Sequence, residues 1–160
     1  MSEDRPTTEF DDPRGKKFSL VAARWNSHIM DRLIGGALSA LDERGINRSS
    51  IHVFRVPGAF ELALACQEVA RSKKFDAVIA LGCVIRGDTP HFEYICAETA
   101  RGIGQVSLQE AIPVAFGLLT VDNLDQALKR SDENAQNKGK EAALTVLDTI
   151  QTLEQIRDFS

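Results

Sequence analysis

The chain has 160 residues, 43% hydrophobic and 26% charged: the length of one domain with an ordinary globular composition, able to bury about 70% of its unfolded surface. A formal net charge of −4 argues against the basic footprint of non-specific nucleic-acid binding, and no apolar run approaches the ~18–20 residues of a membrane span. Three cysteines without a CxxC pair and three scattered histidines without an HExxH or His/Cys cluster point to no disulfide framework and no metal.

The N-terminus, MSEDRPTTEFDDPRG, is acidic and lacks the basic and apolar regions of a secretory signal, so a cytoplasmic location is expected. Residues 1–15 hold Pro6, Pro13, Gly15 and many charges without a period and read as a flexible arm; residues 16–160 read as a single domain. Residues 16–23 (KKFSLVAA) form a strand that ends in the corner Arg24-Trp25-Asn26-Ser27, where Asn26 or Ser27 can cap the next helix. In that helix Ile29, Leu33, Ile34, Ala37, Leu38 and Leu41 recur at three and four, and Gly45 stops it as a C′ glycine would. Residues 50–56 (SIHVFRV) alternate and are β-branched, giving a second strand that Pro57-Gly58 turns into a helix opened by Ala59-Phe60-Glu61.

The third strand is the apolar run that starts at Ala77 and continues to Ile85, broken by Arg86-Gly87-Asp88-Thr89-Pro90. A helix follows over 91–110, with Ile95, Ile103 and Val106 among its inward residues. Gly102 and Gly104 inside it cost about 1 kcal/mol each against Ala, which predicts close helix packing there. Residues 113–120 (PVAFGLLT) are the fourth strand, 124–130 a short helix, 135–139 (AQNKG) a polar turn, and a last helix starts at Lys140. All three cysteines lie in apolar contexts and read as small buried hydrophobes.

Strand and helix alternate four times at a spacing of about thirty residues, the βαβ pattern. The expected fold is α/β: a flavodoxin-like three-layer sandwich with a four-stranded parallel sheet and helices on both faces. In such a sheet the strand C-termini share one edge, so four loops meet there: Arg24 to Asn26, Pro57 to Glu61, residues 86–91, and residues 120–123. They pool Trp25, Glu61, Arg86, Asp88, Thr89 and His91. Each also has a plain reading: Trp25 as a hydrophobic plug, Glu61 as a carboxylate favourable in any first helical turn, Arg130 and Lys138 as solvated surface.

On its motifs the chain resembles the 6,7-dimethyl-8-ribityllumazine synthase family. RWN at 24–26, VPGAFEL at 56–62, GCVIRGDTPHFEY at 82–94, PVAFGLLT at 113–120 and NKG at 137–139 carry the likeness over roughly residues 15–155. The resemblance implies condensation of 5-amino-6-ribitylaminouracil with 3,4-dihydroxy-2-butanone 4-phosphate, releasing phosphate and water, with no cofactor or metal. It implies that Trp25 stacks on the pyrimidine beside Asn26, that Ala59, Phe60 and Glu61 hold the ribityl chain, and that Val84 and Ile85 contact the uracil. Gly87, Asp88, Thr89 and Arg130 fall to the phosphate, and His91 to acid/base chemistry. Phe116, Arg130 and Lys138 match residues that a neighbouring copy donates, so the resemblance implies a homo-oligomer built on pentamers, with sites at subunit interfaces and association with riboflavin synthase as a further partner. Cys83, Asp88 and Ala63 depart from the commoner residues, and residues 129–139 (KRSDENAQNKG) lack the usual glycines before N-K-G. Two rival readings are a flavin or nucleotide carrier and a shell protein, and the arm's prolines favour free pentamers over a sixty-subunit shell.

Overall fold

The computed structural model describes residues 15–160, so the expected arm lies, Gly15 apart, outside the described residues. Strands β1 (Phe18–Ala23), β2 (Ile51–Val56), β3 (Ala77–Ile85) and β4 (Val114–Val121) form one sheet in the order β2-β1-β3-β4. Every neighbouring pair is parallel. The intervening helices are α1 (Ser27–Glu43), α2 (Leu62–Arg71), α3 (His91–Glu110), α4 (Leu124–Ser131) and α5 (Lys138–Asp158). The chain passes from β1 outward to β2, then returns past β1 to β3, the flavodoxin-like order with its switch point between β1 and β3.

Alternation along the strands sorts the core into two layers. Phe18, Leu20 and Ala22 of β1 and Ile79, Leu81 and Cys83 of β3 join Ile29, Leu33, Leu41, Val146 and Leu147 under α1 and α5. Val21, Val78, Ala80 and Leu118 point the other way, against Leu62, Cys66, Ile103 and Val106 of α2 and α3. Because helices cover both faces, β1 is buried along its whole length and is apolar apart from Ser19.

The helix ends follow from local chemistry. Gly45 at φ 82° donates its N–H to Asp42 O and Ile46 N–H to Leu41 O, at 2.9 and 3.0 Å, closing α1 as expected. At the start of α1, Asn26 holds the capping position in a left-handed conformation (φ 59°), but its side chain makes no capping bond. Helix α5 begins at Lys138, two residues before the expected start, because Asn137 accepts the Lys140 N–H at 3.0 Å. Strand β1 starts at Phe18 rather than at residue 16: Lys16 is spent on an ion pair with Glu154 at 2.6 Å, and the Lys17 N–H on Asp76 at 2.7 Å.

Two other expectations are only half met. A Cβ on Gly102 would lie 2.7 Å from that of Ala63, so α2 and α3 do approach closely there, but Gly104 faces open space. Cys66 and Cys83 are buried whereas Cys96 is partly exposed. Burial pushes the Cys66 thiol up to about 12 and the Cys83 thiol up to about 11. Neither is a thiolate near neutrality, so an alkylating reagent at pH ~8 should leave both intact in native protein and modify both after denaturation. Peptide mass mapping checks this; equal labelling before and after unfolding would contradict it.

Candidate active site

The carboxyl edge of the sheet is assembled at the switch point. Strand β1 turns away at Arg24, whose N–H still reaches Val56 O of β2 at 2.8 Å. This leaves the end of β3 without a β1 partner, and the Asn26 amide supplies one by donating to Cys83 O at 3.1 Å. The left-handed backbone that Asn tolerates well aims that amide. Trp25 is thereby held at the loop tip with 72% of its surface exposed, which is not the burial of a hydrophobic plug.

Beside it, the turn after β2 is a 3-10 turn over Ala59–Glu61 rather than the start of the helix itself. Glu61 accepts the Gly58 N–H at 3.0 Å, folding the turn on itself. Gly58 has no side chain where Trp25 packs: a Cβ there would lie 3.1 Å from Trp25 Cδ1. The buried Thr99 hydroxyl of α3 donates to Ala59 O at 3.3 Å, and Phe60 projects into solvent at 60% exposure. Val84 and Ile85 are half-buried at the end of β3, and residues 86–91 are exposed. His91 opens α3, and its N–H donates to Thr89 Oγ1 at 3.4 Å.

Arg86 leads that loop and is gripped from two sides. Its Nε donates to Asp122 after β4 at 2.9 Å, and its Nη1 to Glu93 in the first turn of α3. Its guanidinium carbon stands 4.3 Å from the centroid of Phe92. Arg86 holds the Glu93 carboxyl below the usual carboxylate range. A depressed folded value means the pair's contribution is present above about 4.3, the ordinary carboxyl value, and is lost as pH falls through the lower folded value. The grip is therefore intact at neutrality, and Glu93→Gln should leave the acid limb of a pH–rate profile above pH ~5 where it is. A displaced limb would show that Glu93 itself titrates in the reaction.

Three predicted residues lie elsewhere. Phe116 stands half-exposed on β4, an edge strand, and lines with Arg130 and Lys138 a pocket of about 360 Å³. Arg130 Nη1 donates to Gln126 O at 3.0 Å, and Lys138 pairs with Glu141 at 2.8 Å. None of the residues from the loops at 24–26, 57–61 and 86–91 lines that pocket, although Val121 in its wall accepts the Arg86 N–H at 2.8 Å, so the predicted set falls into two groups by what each lines.

A family described as 6,7-dimethyl-8-ribityllumazine synthase matches residues 15–154. The chain belongs to that family. A protein of that name from Desulfovibrio desulfuricans is 51% identical over 145 residues, covering 91% of this chain and 93% of the relative. Two from Nitratidesulfovibrio vulgaris strains, with the same name and coverage, are 48% and 45% identical. Membership makes the chain a transferase of riboflavin biosynthesis, a lumazine synthase, and the flavodoxin-like sheet agrees.

The segment 129–139 is held by side chains. Asp132 pairs with Arg32 of α1 at 2.8 Å, the Asn134 side chain accepts the Gln136 N–H at 2.8 Å, and Asn137 is buried. Asp122 and Glu93 were not singled out from the sequence. The available signal was that Asp122 lies in the loop after β4 at the same sheet edge as Arg86, and Glu93 in the first turn of the helix after the loop that Arg86 leads. No side-chain pattern marks Cys83 O, because it is a backbone group.

Proposed function

We propose that the two groups are halves of shared sites, each completed by a second copy, in a cytoplasmic homopentamer formed by the single domain 16–160. One copy brings the loops at 24–26, 57–61 and 86–91; its neighbour brings Phe116, Arg130 and Lys138. The observation that supports this is that Phe116, Arg130 and Lys138 line a pocket on the outer strand β4 to which none of those three loops contributes a residue. The substrates are 5-amino-6-ribitylaminouracil and 3,4-dihydroxy-2-butanone 4-phosphate.

The exposed Trp25 ring offers a stacking face for the flat pyrimidine, with the Asn26 loop as the adjoining wall and Val84 and Ile85 against its edge. Ala59, Phe60 and the Glu61 carboxylate take the ribityl hydroxyls. The amides of Gly87 and Asp88 and the Thr89 hydroxyl point anion-binding groups at the start of α3, and the partner's cation, its Arg130, faces them. The 5-amino group attacks the ketone and water leaves, forming an imine. Phosphate is then eliminated, and the ribitylamino nitrogen closes the ring with loss of a second water. These steps move protons without redox change, so one imidazole, His91, can relay them. Charge developing on the leaving phosphate is met by Arg130 and the loop amides where it appears. Holding both substrates together provides the rest of the acceleration.

The test is product absorbance and phosphate release from the two purified substrates against an enzyme-free control, since the condensation runs slowly unaided. Wild type should exceed the control with one phosphate released per product. A rate equal to the control, with lumazine or flavin still bound, would replace this reading with the carrier. Sedimentation velocity should give a pentamer, and a sixty-subunit particle would overturn that part. Association with riboflavin synthase rests on the resemblance and is tested by co-sedimentation.

A further inference from the structure

Arg86 is the one cation in the loop at residues 86–91, yet the reaction described above leaves it without a task. We infer that Arg86 is a positioning residue: clamped by Asp122 and Glu93, it fixes the first turn of α3 and so aims His91, rather than binding the phosphate itself. This rests on the synthase reading, since it names what holds that site's imidazole in place.

The geometry restrains the loop at both ends. The Arg86 N–H donates to Val121 O at 2.8 Å, extending the β3–β4 ladder by one residue. Its side chain then crosses to residues 92 and 93, immediately after His91: one Nη1 bond to Glu93, and the guanidinium over the Phe92 ring at 4.3 Å. The third hold, Asp122, is itself fixed, because its N–H donates to Gln126 Oε1 at 2.8 Å and the next residue, Asn123, caps α4 by accepting the Gln126 N–H at 3.0 Å. The segment from Gly87 to Pro90 is thus a short span between two fixed posts. An isolated exposed ion pair contributes little, but three contacts converging on one planar group act as a network. Two carboxylates also neutralise the cation, which disfavours its service as a phosphate ligand.

Arg86→Met and Asp122→Asn separate the roles. Both should lower kcat roughly ten- to a hundredfold, as a displaced catalytic group does. KM for the phosphorylated substrate and inhibition by inorganic phosphate should stay within about threefold of wild type, and the double variant should be no worse than Arg86→Met, as for residues acting as one unit. A tenfold or greater rise in KM and in the phosphate inhibition constant, with kcat held, would make Arg86 an anion ligand and overturn the inference. So would wild-type kcat in Asp122→Asn. Amide hydrogen exchange over residues 86–95 reads the clamp without the reaction, and should be faster in both variants; unchanged exchange overturns the inference. If exchange accelerates while even wild type gives no product, the clamp stands and the synthase reading fails.

Discussion

Arg130→Ala is expected to fold and assemble as wild type does and to lose about 10²-fold in kcat/KM, the scale for removing one donor from a developing anion. The fold should tolerate the change because the side chain is exposed and its one bond among the described residues, to Gln126 O, caps nothing. That bond uses one of five guanidinium donors, so the others remain for a phosphate. His91→Ala should lose at least as much, by removing the proton relay. The sharper result comes from mixing the two inactive variants, unfolding them together and letting them reassemble. If one copy supplies His91 and the next supplies Arg130, a random heterologous ring places both intact residues at about one site in four, so activity should return to about a quarter of wild type. Native mass spectrometry confirms that hybrid rings have formed. Hybrids no more active than their parents would mean that each site draws both residues from one chain, and the division between sheet edges would then have no catalytic meaning.

What could be read without coordinates was whatever chemistry is local. Helix α3 runs over His91–Glu110, as the break at residues 86–90 and the following period imply, because strand, turn and helix there have different local signatures. The closure of α1 at Gly45 was legible for the same reason. Asn26 misled because its amide had two uses, capping its own helix or completing the ladder of a strand 57 residues away, and only the second satisfies a part-buried carbonyl. Gly102 and Gly104 look alike in sequence, yet one faces Ala63 and the other faces nothing, since residues two apart on a helix do not share a face. The Arg86 clamp was hidden because it requires β4 to lie beside β3, a fact of sheet order rather than of spacing. Phe116, Arg130 and Lys138 could be grouped only through the family resemblance. Nothing in their separation of 14 and 8 residues says that one pocket gathers them.

Gly139→Ala should be the most damaging single methyl in the chain. A Cβ at that position would stand 1.9 Å from Leu33 O and 2.7 Å from its carbonyl carbon, both backbone atoms of α1 that no rotamer change can move aside. Helices α1 and α5 would have to separate along a seam that covers Leu33 and Leu147, both fully buried. Asn137 would lose its place in the same movement. Its Nδ2 donates to Arg32 O and Ser131 O at 3.2 and 3.0 Å while its Oδ1 caps α5 at Lys140, and a side chain on Gly36 would fall 2.1 Å from that oxygen. Overpacking against rigid backbone costs about 3 kcal/mol, which for a chain of this size is a fall of roughly 6–12 °C in Tm. Gly35→Ala is the control: it lies in α1 beside Gly36 with nothing near its missing Cβ, so it should gain up to about 1 kcal/mol. Thermal melts of the two variants in parallel decide the matter, and Gly139→Ala melting within 2 °C of wild type, as a rough limit, would show that the seam can open cheaply. If the loss is as large as the contact implies, N-K-G at 137–139 is a packing motif as much as a binding one. Lys138 can face the β4 pocket only because its neighbours on either side lock α5 against α1.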